Sequence, residues 1–125
     1  MKIYESSEDY LECILVLSHR LPAVRSIDIV HETGYAKPSI SVAMKKLREN
    51  GYIKMDEDQH ITLTEAGRSI AERIYERHRV LTELLVEIGV SRETAENDAC
   101  RIEHDISDES FEKIKNLRHS GIVRG

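Results

Sequence analysis

Apolar residues recur at helical spacing through most of this chain, interrupted once by two short β-favouring runs. Leu11, Ile14 and Leu15 repeat over residues 7 to about 18, behind Ser6 or Ser7 and the acidic pair Glu8 and Asp9, which predicts a first helix. Pro22 ends it. A short second helix starts at Ser26, carries Asp28 in its first turn and Ile27, Ile29 and Val30 behind it, and stops at Gly34 as a left-handed C-terminal residue. Lys37-Pro38-Ser39 opens a third helix, where the missing proline N–H would be unpaired anyway. Its residues Ile40, Ala43, Met44 and Leu47 make a one-sided stripe, closed by Asn50-Gly51. Residues 52–55 and 60–63 flank the polar turn Asp56-Glu57-Asp58-Gln59 and predict a β-hairpin. Thr64 then caps a long helix to about residue 88, with Ile70, Ile74, Leu81, Leu85 and Ile88 on one side and Gly89 at its end. Ser91 with Glu93 begins a fifth helix striped by Ala95, Ala99, Ile102 and Ile106. Ser107-Asp108-Glu109 caps a sixth through Phe111, Ile114 and Leu117. A frayed tail is expected beyond His119.

Helix, helix, Gly-containing turn, helix and hairpin is the order of a winged helix-turn-helix. The chain is therefore expected to be mostly α, with a winged helix-turn-helix over residues 1–64 and a helical domain over 65–125. Its 125 residues leave no room for the separate cofactor and substrate lobes of a large enzyme. Hydrophobic residues make up 40% and charged residues 33%, enough to bury a core, and with no Trp and one Phe that core rests on Leu, Ile, Val and Ala.

The net charge of −5 argues at first against a nucleic-acid partner, because duplex binding neutralises phosphates with Lys and Arg. Divided along the chain, the objection disappears. Between Tyr35 and Lys54 the cations Lys37, Lys45, Lys46, Arg48 and Lys54 face Glu49 alone, a local charge of +4, and the remainder carries −9. With its apolar stripe turned inward, the third helix presents small polar and methyl-bearing groups near its start and cations further along, which suits base edges and phosphates respectively. The candidate DNA-binding set is Arg25, Lys37, Pro38, Ser39, Ser41, Val42, Lys45, Lys46 and Arg48. None is an obvious bidentate base reader, so specificity is expected to be shared with DNA shape. One such domain covers a short site, and the later helices are expected to form a homodimer that sets two recognition helices about 34 Å apart on double-stranded operator DNA.

A second cluster has no place in a plain winged helix. Cys100, Glu103 and His104 fall at i, i+3 and i+4 on one helix face, Asp9 and Glu12 at i and i+3 on the first helix, and His78 inside the apolar stripe of the long helix. Singly, a histidine in an apolar stripe is most often a hydrogen-bonded core residue, and acidic helix faces are most often solvated. Together, three carboxylates, two imidazoles and a thiol suit a divalent transition metal. Carboxylate and imidazole favour Mn²⁺ and Fe²⁺, whereas thiolate shifts the preference toward Fe²⁺, Co²⁺ or Zn²⁺.

Three motifs also resemble a known family: Ser-Glu-Asp-Tyr-Leu-Glu at 7–12, Arg-His at 77–78, and Asp-Ala-Cys-Arg-Ile-Glu-His-Asp-Ile-Ser-Asp-Glu at 98–109. They are similar to the diphtheria toxin repressor family of metal-dependent transcriptional regulators, in its short, manganese transport regulator-like branch. The resemblance implies a homodimeric repressor of metal-uptake genes that binds its operator when loaded with Mn²⁺ or Fe²⁺. It makes Asp9, Glu12, His78, Glu103 and His104 the ligands of the manganese branch, while Cys100 matches the iron branch. Zn²⁺ and Co²⁺ are expected to bind in vitro. Thr82 and Glu96 stand where the iron branch has Glu and His, so its ancillary site is not implied, nor is an SH3-like third domain.

The alternative reading is a winged-helix regulator that senses a non-metal ligand or oxidation of Cys100. An enzyme is not expected, since there is no H-E-x-x-H motif, nucleophile elbow or phosphate loop, and with it no small organic substrate. No apolar run reaches the length of a membrane span, and no secretory signal is seen. A cytoplasmic location is expected, with Cys13 and Cys100 unpaired.

Overall fold

The computed structural model describes residues 7–119, so Ser6 as a helix start and the tail beyond His119 lie outside the described residues. The chain is mostly helical, and its described residues divide into two compact units, the first ending at Arg73 and the second starting at Ile74. The element order is α1 (Ser7–Arg20), α2 (Ser26–Thr33), α3 (Lys37–Glu49), β1 (Ile53–Met55), β2 (Ile61–Leu63), α4 (Glu65–Glu87), α5 (Arg92–Asp105) and α6 (Asp108–His119).

In the first unit, Ile14, Val24, Ile29, Ile40, Met44, Leu47, Ile53 and Ile61 are all buried and form the core. The apolar stripe of α3 works as its spacing predicts: Ile40, Met44 and Leu47 point inward, Ala43 is half-buried, and Val42 is 66% exposed. Gly34 closes α2 at φ 75°, donating its N–H to the carbonyl of Val30, a backbone conformation that costs glycine nothing. The hairpin is antiparallel, pairing Ile53 with Leu63, Lys54 with Thr62 and Met55 with Ile61. Its strands are one residue shorter at the start than the β-favouring runs. The N–H of Ile61 also bonds to the carbonyl of Val24 at 2.7 Å, so the wing is tied to the segment just before α2.

Thr64 caps α4 as expected: its hydroxyl accepts the N–H of Gly67 at 3.1 Å and donates to the carbonyl of Gly51 at 2.7 Å. Gly67 is required by packing, because a Cβ there would lie 2.0 Å from the carbonyl oxygen of Tyr52.

In the second unit, Ile74, Leu81, Ala95, Ala99 and Phe111 are buried. Ser91 caps α5 by accepting the N–H of Thr94, and Ser107 caps α6 by accepting that of Ser110. Three stripe residues depart from expectation. Ile88, Ile102 and Leu117 are 60%, 37% and 37% exposed. On α5 the inward face runs Ala95, Ala99, Glu103, at i, i+4 and i+8, and Ile102 is turned off it. A carboxylate has taken the place that hydrophobicity assigned to isoleucine.

Candidate metal centre and nucleic-acid interface

The metal candidates of the second unit come from two helices. On α4, His78 lies four residues after Ile74 and three before Leu81, both buried, so the same face that builds the core carries the imidazole inward. On α5, the i, i+3, i+4 spacing sets Cys100, Glu103 and His104 side by side. The two sets meet. His78 Nδ1 lies 2.9 Å from Glu103 Oε2 and 3.8 Å from Cys100 Sγ, and His104 Nε2 lies 3.5 Å from Glu103 Oε1. One donor atom each from His78, Cys100 and Glu103 falls within 4.8 Å of the others.

The electrostatics follow from burial. The Glu103 side chain has no exposed surface, and an isolated buried carboxylate costs several kcal/mol. Burial disfavours the charged form of His78, but hydrogen bonds to Cys100 and Glu103 and the charge of Glu103 outweigh it and raise its pKa to about 9. In the metal-free cluster a proton therefore supplies the positive charge. Imidazole, cysteine sulfur and carboxylate donor atoms within 4.8 Å of one another are the donor set of a divalent transition ion, and the residues present fit one.

A neighbour to which the sequence analysis gave no role of its own holds this arrangement. Arg77 is 3% exposed, donates to the carbonyls of Glu103 and Ile106, pairs with the Asp108 carboxylate, and holds its guanidinium carbon 5.4 Å from the centre of the Phe111 ring. Its signal in the sequence was the Arg-His motif at 77–78.

Asp9 and Glu12 lie one turn apart on α1 in the first unit, both buried. Thr82 is buried, with no hydrogen-bond partner for its hydroxyl among the described residues, and Glu96 is exposed. Cys13 and Cys100 form no disulfide among the described residues.

The DNA-binding candidates share one character: Arg25, Lys37, Pro38, Ser39, Ser41, Val42, Lys45, Lys46 and Arg48 are all exposed. A groove of about 270 Å³ runs between the start of α2, α3 and the wing, and Ser41, Lys45 and Arg48 line it together with Met55 and Gln59. Arg25 is the N-cap residue of α2. Its Nη2 lies 3.1 Å from His60 Nε2, and His60 Nδ1 lies 3.1 Å from Asp56 Oδ2. Asp56 Oδ1 accepts the N–H groups of Asp58 and His60. The His60 N–H is the main cause that holds the Asp56 carboxyl below the usual carboxylate range. The Asp-rich turn was legible as a turn; its link to Arg25 was not.

Two family models match the chain. Residues 2–61 match the iron-dependent repressor N-terminal DNA-binding domain, and residues 64–119 match the iron-dependent repressor metal-binding and dimerisation domain. The transcriptional regulator MntR of Escherichia coli O6:H1 is 31% identical over 111 residues, covering 89% of this chain and 72% of that protein. An HTH-type transcriptional regulator of Methanocaldococcus jannaschii is 33% identical over 113 residues, covering 89% and 90%. Among solved structures, a manganese-dependent transcriptional repressor in complex with manganese superposes with a TM-score of 0.78 at 28% identity, covering 89% of this chain. The manganese regulator SloR shares the fold, with a TM-score of 0.81 at 24% identity over 94% of this chain. The chain spans about half the length of these two structures, 51% and 55%. No helix among the described residues is long and apolar enough to cross a membrane.

Proposed function

The chain belongs to the iron-dependent repressor family, and on that premise we propose that it is a metal-dependent repressor of metal-ion uptake genes, activated for operator binding by Mn²⁺ or Fe²⁺. The observation that carries the reading is the fully buried carboxylate of Glu103, whose oxygen lies within 4.8 Å of donor atoms of His78 and Cys100. A divalent cation, when bound, supplies the positive charge that this desolvated set requires. The chain's own residues do the rest. His78 offers a ring nitrogen once it gives up its proton, Cys100 a thiolate, Glu103 a carboxylate oxygen and His104 a second imidazole. The resemblance adds Asp9 and Glu12 to the ligands.

Residues 65–125 are proposed to bind metal and form the homodimer, and residues 1–64 to bind double-stranded operator DNA. The exposed face of α3 supplies small residues for the groove and Lys45, Lys46 and Arg48 for phosphates. Metal shifts the chain toward an operator-competent conformation by no more than the difference in metal affinity between that conformation and the incompetent ones.

The test is operator affinity measured with and without chelator, followed by anaerobic titration with Mn²⁺, Fe²⁺, Co²⁺ and Zn²⁺. Activation by Mn²⁺ or Fe²⁺ and its loss on chelation are expected. Equal affinity in both conditions overturns the proposal, and a response to peroxide with none to chelator favours a thiol sensor at Cys100. Tight Zn²⁺ binding alone does not identify the effector, because Zn²⁺ outcompetes Mn²⁺ and Fe²⁺ at most nitrogen and sulfur sites.

A further inference from the structure

The wing carries a chain of polar contacts that the proposed function leaves unexplained: Asp56 to His60 to Arg25. Its chemistry is directional. Asp56 Oδ2 faces His60 Nδ1, and an ionised carboxylate can only accept, so Nδ1 carries the ring proton. In the neutral ring that leaves Nε2 with its lone pair, facing Nη2 of Arg25, which can only donate. The tautomer chosen by Asp56 is therefore the one that can hold Arg25.

Both ends of the chain are anchored. Asp56 Oδ1 is tied to the N–H groups of Asp58 and His60 at 2.8 and 2.9 Å. The backbone N–H of Arg25 bonds to Asp28 Oδ2 at 2.9 Å, and the neighbouring Val24 carbonyl accepts from Ile61 in the wing. The arginine backbone and the imidazole thus belong to one braced junction.

The choice of a neutral acceptor has an electrostatic consequence. A carboxylate touching the guanidinium would cancel its charge and compete with a phosphate. An imidazole restrains the side chain, which otherwise loses rotamer freedom on binding, and leaves the full positive charge. The remaining N–H groups of the fork can meet a phosphate in two-point fashion. We propose that Asp56 and His60 are positioning residues that hold the Arg25 guanidinium for a DNA backbone phosphate, and that His60 contributes to DNA affinity through Arg25 alone. The inference rests on the DNA-binding reading above.

A double-mutant cycle on the metal-loaded full chain tests it. The probe is a mixed-sequence DNA duplex, since a phosphate contact does not depend on sequence, with dissociation constants measured over a range of salt. Arg25→Gln and His60→Ala are each expected to weaken binding about fivefold, and the double variant no more than Arg25→Gln alone. Loss of one phosphate contact per protomer should lower the slope of log affinity against log salt by about 1.8 for the Arg25→Gln homodimer. His60→Gln, whose amide can donate to Asp56 and accept from Arg25, should restore affinity, and it keeps the test open should His60→Ala unfold. An undiminished His60→Ala effect in the Arg25→Gln background, an unchanged salt slope, or failure of His60→Gln to rescue overturns the proposal. A wild-type chain that binds no duplex with any metal instead overturns the DNA-binding reading, and this inference with it.

Discussion

Arg77 Nη1 donates to the carbonyl oxygen of Glu103 at 3.1 Å, so the residue beside one proposed ligand, His78, holds the backbone of another. The same nitrogen reaches the Ile106 carbonyl at 2.7 Å. These carbonyls belong to the last turn and the end of α5, where the helix offers them no partner. One buried cation thus caps α5 and sets the carboxylate it carries.

Replacing Arg77 by Ala should therefore destabilise the metal-free protein by about 2–4 kcal/mol, the cost of stranding buried acceptors. Asp108→Ala should cost less than about 1 kcal/mol, because that carboxylate is 83% exposed and its ion pair is screened. Chemical denaturation of both variants checks the order, and equal losses would contradict it.

The raised pKa of His78 predicts opposite pH trends for stability and metal binding. Its charged form is stabilised in the folded, metal-free state, so that contribution is complete below the ordinary imidazole value near 6.5 and is lost as pH rises through about 9. A ligand nitrogen must be deprotonated, so apparent metal affinity should climb across the same window, by about tenfold per pH unit for each proton displaced. Competition with a chromophoric chelator over this range measures it, and a flat profile would exclude His78 as a ligand.

Substitutions in the cluster should separate the ions. Cys100→Ser removes the thiolate and should weaken Zn²⁺ and Co²⁺ binding more than Mn²⁺ binding. His104→Ala should abolish the metal response of operator binding while leaving the melting of the metal-free protein nearly unchanged. A His104→Ala variant that responds normally would remove that residue from the ligand set.

Gly67→Ala should destabilise the first unit by about 3 kcal/mol, since its new Cβ would meet the Tyr52 carbonyl at 2.0 Å, and backbone on both sides must move. Thermal melting checks this, and a shift within error would show that the helix and the wing can separate without penalty.

Helix α3 was legible residue by residue. Ile40, Met44 and Leu47 are buried and Val42 exposed, because a 3.6-residue period alone decides which face of a short amphipathic helix turns inward. The caps at Thr64, Ser91 and Ser107 and the stop at Gly34 were legible for a similar reason: each satisfies or ends a turn within three or four residues. Helix α5 was not. Hydrophobicity placed Ile102 inward, whereas Glu103 holds the buried position, since its partners are on another helix and no local pattern records them. The Arg25–His60 contact escaped for the same reason, its two residues being 35 apart in sequence.

The elements, their order, the cationic face of α3 and the residue types available to a metal could all be read along the chain, because these depend on contacts between near neighbours and on composition. That His78 and Glu103, 25 residues apart, share a hydrogen bond, that Arg77 holds the end of α5, and that an imidazole meets Arg25 could be read only from the folded chain. The reason is energetic. The cost of burying a charge is offset by partners that chain folding brings together, and their identity is set by packing rather than by any repeat along the chain.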